Sequence, residues 1–201
     1  MLLLDSWFMI NNNKYQHLLE SIKKPYLILV TGASGTGKTT IIKAIEKELH
    51  SDMVAFNYFD DIGVPSFDTM VANFGSPQRW QEVTTHAWMG KLATITDKKL
   101  IILEGSFNPE FAVAKLPKPA LENCLVICIH TDRVQREARL RHNRNQPELI
   151  SEDMENFARV LKERTLALGG MIVEQDENHQ SQTAQEIIDL IFSFIREKSN
   201  D

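Results

Sequence analysis

The run Gly32-Ala33-Ser34-Gly35-Thr36-Gly37-Lys38-Thr39 constrains this chain more than any other stretch, because it fits G-x-x-x-x-G-K-[ST] between a strand-like and a helix-like segment. Upstream, Tyr26-Leu27-Ile28-Leu29-Val30 is a continuous apolar run of the kind a parallel strand shows when both its faces are covered. Downstream, Ile41, Ile45 and Leu49 recur at helical spacing, which predicts a helix starting at about Gly37. In this order the parts make a phosphate-binding loop. Glycines let the backbone aim successive N–H groups at phosphate oxygens, and the helix N-terminus adds partial positive charge. Lys38 is expected to reach the β- and γ-phosphates and the Thr39 hydroxyl to ligate Mg²⁺; Thr40, next in line, completes the nucleotide-binding set.

The chain of 201 residues is long enough for one α/β domain with a sizeable core, and no linker or repeat divides it. A formal net charge of −5 argues against a general nucleic-acid binder, which needs a basic face for phosphates. Cys124 and Cys128 sit four apart in strand-like sequence, which separates them by ~13 Å, too far for a disulfide. Reduced core thiols in a cytoplasmic protein are expected. The apolar opening Met1–Ile10 has an acid in its middle and no basic start, so it is a poor signal peptide, and no stretch reaches the ~20 apolar residues of a membrane span.

Taken in order, Asn11 to Lys24 reads as an amphipathic helix through Tyr15, Leu18, Leu19 and Ile22. Residues 53–59 form a second strand that ends at Asp60-Asp61, with Gly63 and Pro65 turning the chain. Ligands bind at the carboxyl edge of such sheets, so both acids should lie beside the phosphate loop. Residues 66–98 carry two helices, capped by Ser66 and by Ser76 with Pro77. Along the second, Trp80, Thr84 and Trp88 repeat every fourth residue, with Gln81 and Thr85 alongside. That face either lines a small-molecule pocket or anchors the lobe to the sheet.

A third strand, 99–105, ends in Glu104, an acid suited to holding Mg²⁺ through water. After a fourth strand, 123–130, Arg136, Arg139, Arg141 and Arg144 cluster before Asn145-Gln146-Pro147. They form either a lid of phosphate-binding forks or a solvated basic face. Ser151 caps a long helix ending at Gly169-Gly170; a last strand begins at Met171, and Thr183-x-x-Glu186 is read as the capping box of the final helix.

Together these features resemble the P-loop kinases of the nucleoside-monophosphate, shikimate and gluconate kinase type, over about residues 25–195. Phe59 to Pro65, the Trp80–Trp88 helix and Leu103-Glu104-Gly105 look most like a branch described only as adenylate-kinase-like or as an ATPase. The resemblance implies a three-layer α/β/α fold with five parallel strands in the order 2-3-1-4-5, a substrate lobe at 66–98 and a lid at 131–150. It also implies a transfer of the γ-phosphoryl group of Mg-ATP to a small acceptor, with Asp60 or Asp61 facing the acceptor hydroxyl and Arg136, Arg139 and Arg144 as lid arginines. The chain departs from adenylate kinases in having Glu104-Gly105-Ser106-Phe107-Asn108 after the third strand, without the arginine expected to clamp a monophosphate. A hydroxyl compound is therefore the expected acceptor. The alternative is a nucleotide-hydrolysing switch with water as acceptor and a protein as its target.

Overall fold

The computed structural model describes residues 15–176 and 179–200. The opening Met1–Ile10 and the first residues of the helix expected from Asn11 lie outside that range. Residues 15–21 are helical (α1). Then follow β1 (Tyr26–Thr31), α2 (Lys38–Leu49), β2 (Val54–Tyr58), a 3-10 turn (Phe59–Ile62), α3 (Phe67–Phe74) and α4 (Pro77–Leu92). β3 (Leu100–Glu104) leads through the short helices α5 (Pro109–Val113) and α6 (Lys118–Glu122) into β4 (Cys124–His130). The chain ends with α7 (Arg133–His142), a 3-10 turn (Pro147–Leu149), α8 (Glu152–Ala167), β5 (Met171–Glu174) and α9 (Gln180–Asn200).

The five strands pair in the order β2-β3-β1-β4-β5, all parallel. β1 is central, so the loop that follows it opens at the middle of the carboxyl edge. Its apolar run divides by alternation. Ile28 and Val30 pack under α1, α2 and α9, whereas Leu27 and Leu29 face the side of α4 and α5, giving helix, sheet and helix layers. The register sets Val30 opposite Glu104 and Thr31 opposite Cys128, so the ends of β1, β3 and β4 are level where the phosphate loop begins.

Local chemistry explains most boundaries. Ser66, Ser76, Asp132 and Ser151 each accept a backbone N–H of the first helical turn. Thr183 does not cap α9, contrary to the capping-box expectation. That helix starts at Gln180, and the Thr183 hydroxyl donates back to the His179 carbonyl at 3.1 Å from within the first turn. β2 also stops earlier than expected. Phe59 turns into the core and carries Asp60 and Asp61 into the 3-10 turn instead of leaving them on the strand. The two cysteines are free, on β4, and burial pushes their thiols up to about 12 at Cys124 and about 11 at Cys128. Among the described residues no helix is long and apolar enough to cross a membrane.

Candidate functional site

The loop 32–37 leaves β1 and delivers the chain to Gly37, which precedes the first turn of α2. Its shape is imposed from behind. α7 packs so close to Gly35, whose φ is +85°, that a Cβ there would lie 2.8 Å from the Arg136 Cγ, so only glycine fits. Arg139 reaches over from α7 and donates to the carbonyls of Gly35 (3.5 Å) and Thr36 (3.3 Å) and to Gln175 Oε1 (2.6 Å). Within the loop the Thr36 N–H closes on the Ala33 carbonyl at 3.4 Å, so the loop is held both from behind and across itself. Lys38 stands at the start of α2 with its ammonium buried, donating to the Ala33 carbonyl and to Ser106 Oγ, each at 3.0 Å.

Thr39 and Glu104 face each other across the end of the sheet. The Thr39 hydroxyl is 3.3 Å from both Glu104 oxygens. Burial pushes the Glu104 carboxyl above its ordinary value, opposed by the charge of Lys38, while the charge of Asp60 adds to the rise. Burial likewise pushes the Lys38 ammonium down, opposed by Glu104 and Asp60 and assisted by Arg144. Two charged groups are thus held short of water at one spot, as functional sites commonly hold them. Asp60 acts on both. Asp61 instead enters as the last of the influences that raise the Tyr58 phenol, after burial, the bond that phenol donates to Glu46 (2.7 Å) and the charges of Glu46 and Glu104.

A cleft of about 370 Å³ opens over the loop, lined by Gly37, Lys38, Thr39, Thr40, Arg139 and Arg144 among others. Of the residues singled out in the sequence it brings together Gly35, Gly37, Lys38, Thr39, Thr40, Arg139 and Arg144, while Asp60, Asp61 and Glu104 lie outside its lining. A more voluminous apolar cavity, about 630 Å³, lies at the opposite, amino ends of the strands around Tyr26, Leu27, Leu92 and Ile101. It holds none of the loop residues, strand-end acids or arginines described above, and Lys115 is the one charged residue of its lining.

The other expectations divide. Arg136 is not a lid arginine in this arrangement. Its guanidinium is buried against α8, ion-paired with Glu155 and donating to the Met154 carbonyl at 3.4 Å. Arg136 and Arg139, three residues apart on α7, lie on one face of the helix, which packs inward and is shared by α8 and the phosphate loop. Arg144 stays exposed at the rim of the cleft. Trp80, Thr84 and Trp88 are buried, and both tryptophans belong to the core under the lobe. Trp88 Nε1 donates to the Phe59 carbonyl at 3.0 Å, and Trp80 meets the Phe59 ring edge-on at 6.2 Å, so this face anchors α4 to the sheet.

Sequence reasoning passed over Ser106 as a partner of Lys38, and Asn143 and Gln180 at the cleft. Ser106 carried a usable signal, lying two residues beyond the strand-end acid. The polar residues of the cleft follow no period and carried none.

The profile of the KAP family P-loop domain matches residues 9–196. A uridine kinase of Ligilactobacillus salivarius (strain UCC118) is 27% identical over 136 residues, 54% of this chain and 61% of that protein's length. Among solved structures, a gluconokinase from Sinorhizobium meliloti 1021 superposes with a TM-score of 0.59 at 18% identity, covering 88% of this chain and 95% of that one. A shikimate kinase from Acinetobacter baumannii, in complex with shikimate, gives 0.56 at 19% identity, covering 88% and 97%. These structural likenesses establish a shared fold.

Proposed function

Because the chain belongs to the KAP family of P-loop domains, we propose that it binds Mg-ATP at the 32–40 loop and transfers the γ-phosphoryl group to a small hydroxyl compound. The observation that carries this reading is the place of Asp60, in the turn two residues past Tyr58, which pairs with Glu104 in the sheet, so that a carboxylate follows β2 at the edge where Thr39 meets Glu104. Likeness in sequence to a uridine kinase, and in fold to a gluconokinase and a shikimate kinase, supports it.

Phosphoryl transfer asks little covalent chemistry of the protein, so positioning and charge do the work. Lys38 and the loop amides hold the phosphates, Arg139 keeps the loop in shape, and Arg144 supplies positive charge from the rim. Asp60 takes the proton of the acceptor hydroxyl as the oxygen attacks. The buried Glu104 carboxylate and the Thr39 hydroxyl, 3.3 Å apart, are a hard-oxygen donor pair that fits Mg²⁺. The metal, when bound, supplies neutralisation of phosphate charge. Between residues 59 and 78 the chain carries three aspartates and no lysine or arginine, which favours an acceptor without a phosphate or carboxylate of its own. Two free thiols on β4, Cys128 buried and Cys124 half-buried, support a cytoplasmic setting.

The membership in the KAP family also accommodates hydrolysis with water as the acceptor. Release of ADP by the purified protein, measured with and without a panel of hydroxyl metabolites, nucleosides and nucleoside monophosphates, separates the two. Turnover stimulated by one uncharged hydroxyl compound and abolished by Lys38→Ala supports the kinase. Turnover indifferent to every compound supports hydrolysis.

A further inference from the structure

Lys38 is held from one side by a loop that is itself held from α4. The Lys38 ammonium donates to Ser106 Oγ at 3.0 Å, and Gln81 Nε2 donates to the Ser106 carbonyl, also at 3.0 Å. The other end of the same amide, Gln81 Oε1, accepts the Asn108 N–H at 3.0 Å, so one α4 side chain grips the loop at two points. Between them the Phe107 ring stacks on Phe59 at 5.4 Å, and the Phe107 carbonyl accepts the Thr31 hydroxyl at 2.6 Å. Gly105 permits this approach, since a Cβ there would lie 2.3 Å from that of Phe59. Phe59 directly precedes Asp60 and is itself tied to α4 by Trp88. A short path of hydrogen bonds and ring contacts therefore runs from the phosphate-binding lysine, through 105–108, to the helix and the turn that carry the acceptor side of the site.

We infer that Ser106 and Gln81 are positioning residues that report the γ-phosphate to the lobe of α3 and α4. The inference rests on the nucleotide-binding reading of the loop and adds a role for residues outside it. Phosphate oxygens form stronger, charge-assisted bonds with an ammonium than a neutral hydroxyl does. Two of the three ammonium donors of Lys38 are spent on the Ala33 carbonyl and Ser106, so a β-phosphate takes the third, whereas a γ-phosphate draws on the donor held by Ser106, and the released hydroxyl re-pairs with the phosphate or turns away. The loop 105–108 shifts with it. Because Gln81 holds that loop by both ends of its amide, the shift is passed to α4, and because Phe59 is stacked on Phe107, it is passed to the turn of Asp60. The lobe thereby tightens around an acceptor only when a transferable phosphate is in place, a coupling between two sites through one packed element.

The test uses hydrogen exchange of the full chain, with a non-hydrolysable ATP analogue or ADP, each with Mg²⁺ and each at saturation as fixed by titration for every variant. In the wild type, α4 amides from residue 80 to 88 should exchange at least about fivefold more slowly with the analogue than with ADP, the lower end of ordinary coupling between sites. Ser106→Ala and Gln81→Ala should each lose this difference while still binding both nucleotides, and Ser106→Thr, which keeps the hydroxyl, should retain it. A wild type that responds equally to the analogue and ADP overturns the link to the γ-phosphate. Ser106→Ala with an undiminished difference overturns the role of that hydroxyl. A wild type that binds neither nucleotide overturns the functional reading as well, and the titrations alone reveal that outcome.

Discussion

Asp60 and Asp61 are adjacent and both exposed, yet the charge of Asp60 contributes to the shifts of Lys38 and Glu104 and that of Asp61 to the rise of the Tyr58 phenol. The sequence offered the pair without a choice, because spacing along a presumed strand end cannot say how a 3-10 turn will aim each side chain. The distinction gives a direct expectation. Asp60→Asn, which preserves shape and removes the base, should lower acceptor-dependent turnover by ~10²–10⁴-fold with ATP affinity little changed, while Asp61→Asn should stay within about tenfold of wild type. Steady-state rates with the stimulating acceptor, alongside nucleotide titrations, check both. Lys38, Thr39 and Glu104 were legible beforehand because a phosphate loop and a strand-end acid are fixed by local backbone geometry. Ser106 and Gln81 were not, because their roles arise only when a helix some 25 residues away is packed against the loop.

At the scale of the element, α7 shows how one helix divides its arginines between structure and chemistry. Arg136 ties it to α8 through Glu155, Arg139 supports the phosphate loop, and Arg144, two residues past its end, stands at the cleft. The chain turns sharply just beyond, where Asn145 takes φ +51°, a conformation asparagine tolerates better than most residues. Arg136→Met should destabilise the fold by about 2 kcal/mol, less than a fully buried pair because Glu155 is partly solvated, and leave turnover per folded molecule near wild type. Arg144→Ala should do the reverse, changing stability by less than about 0.5 kcal/mol and lowering turnover. Denaturant melts and rates corrected for folded fraction distinguish them. The long elements were readable from apolar runs and capping residues. α5 and α6 were not, since five-residue helices hold too few turns to show a period, and Thr183 misled because a capping signature one turn inside a helix looks the same as one at its start.

For the molecule as a whole, the site is a standing cost to stability. Lys38 and Glu104 are charged groups held away from water, and burial opposes the charged form of each. Replacing both by neutral groups of similar shape, Lys38→Met with Glu104→Gln, should stabilise the protein by about 1 kcal/mol at neutral pH and raise its melting temperature by about 2–4 °C, with turnover lost. The pH dependence has a definite sign. Because the folded carboxyl of Glu104 sits above its unfolded value, its unfavourable contribution is complete above the folded pKa. It fades as the pH falls through that value towards 4.5, where Glu104 takes up its proton in both states. The advantage of the double variant should therefore shrink on acidification, as melting curves across that range will register. The layers were legible because β1 is apolar along its whole length, as a strand covered on both faces must be, while the strand order came only with the family resemblance. The electrical cost of the site did not, since it depends on which charges the closed fold shuts away. Arg139, anchored by Gln175 and in turn holding the carbonyls of Gly35 and Thr36, gives the cradle its form before any nucleotide arrives. If the chain is the kinase proposed above, nucleotide capture is then a single diffusive encounter with a finished surface, and whatever rearrangement the cycle needs is left to the acceptor side.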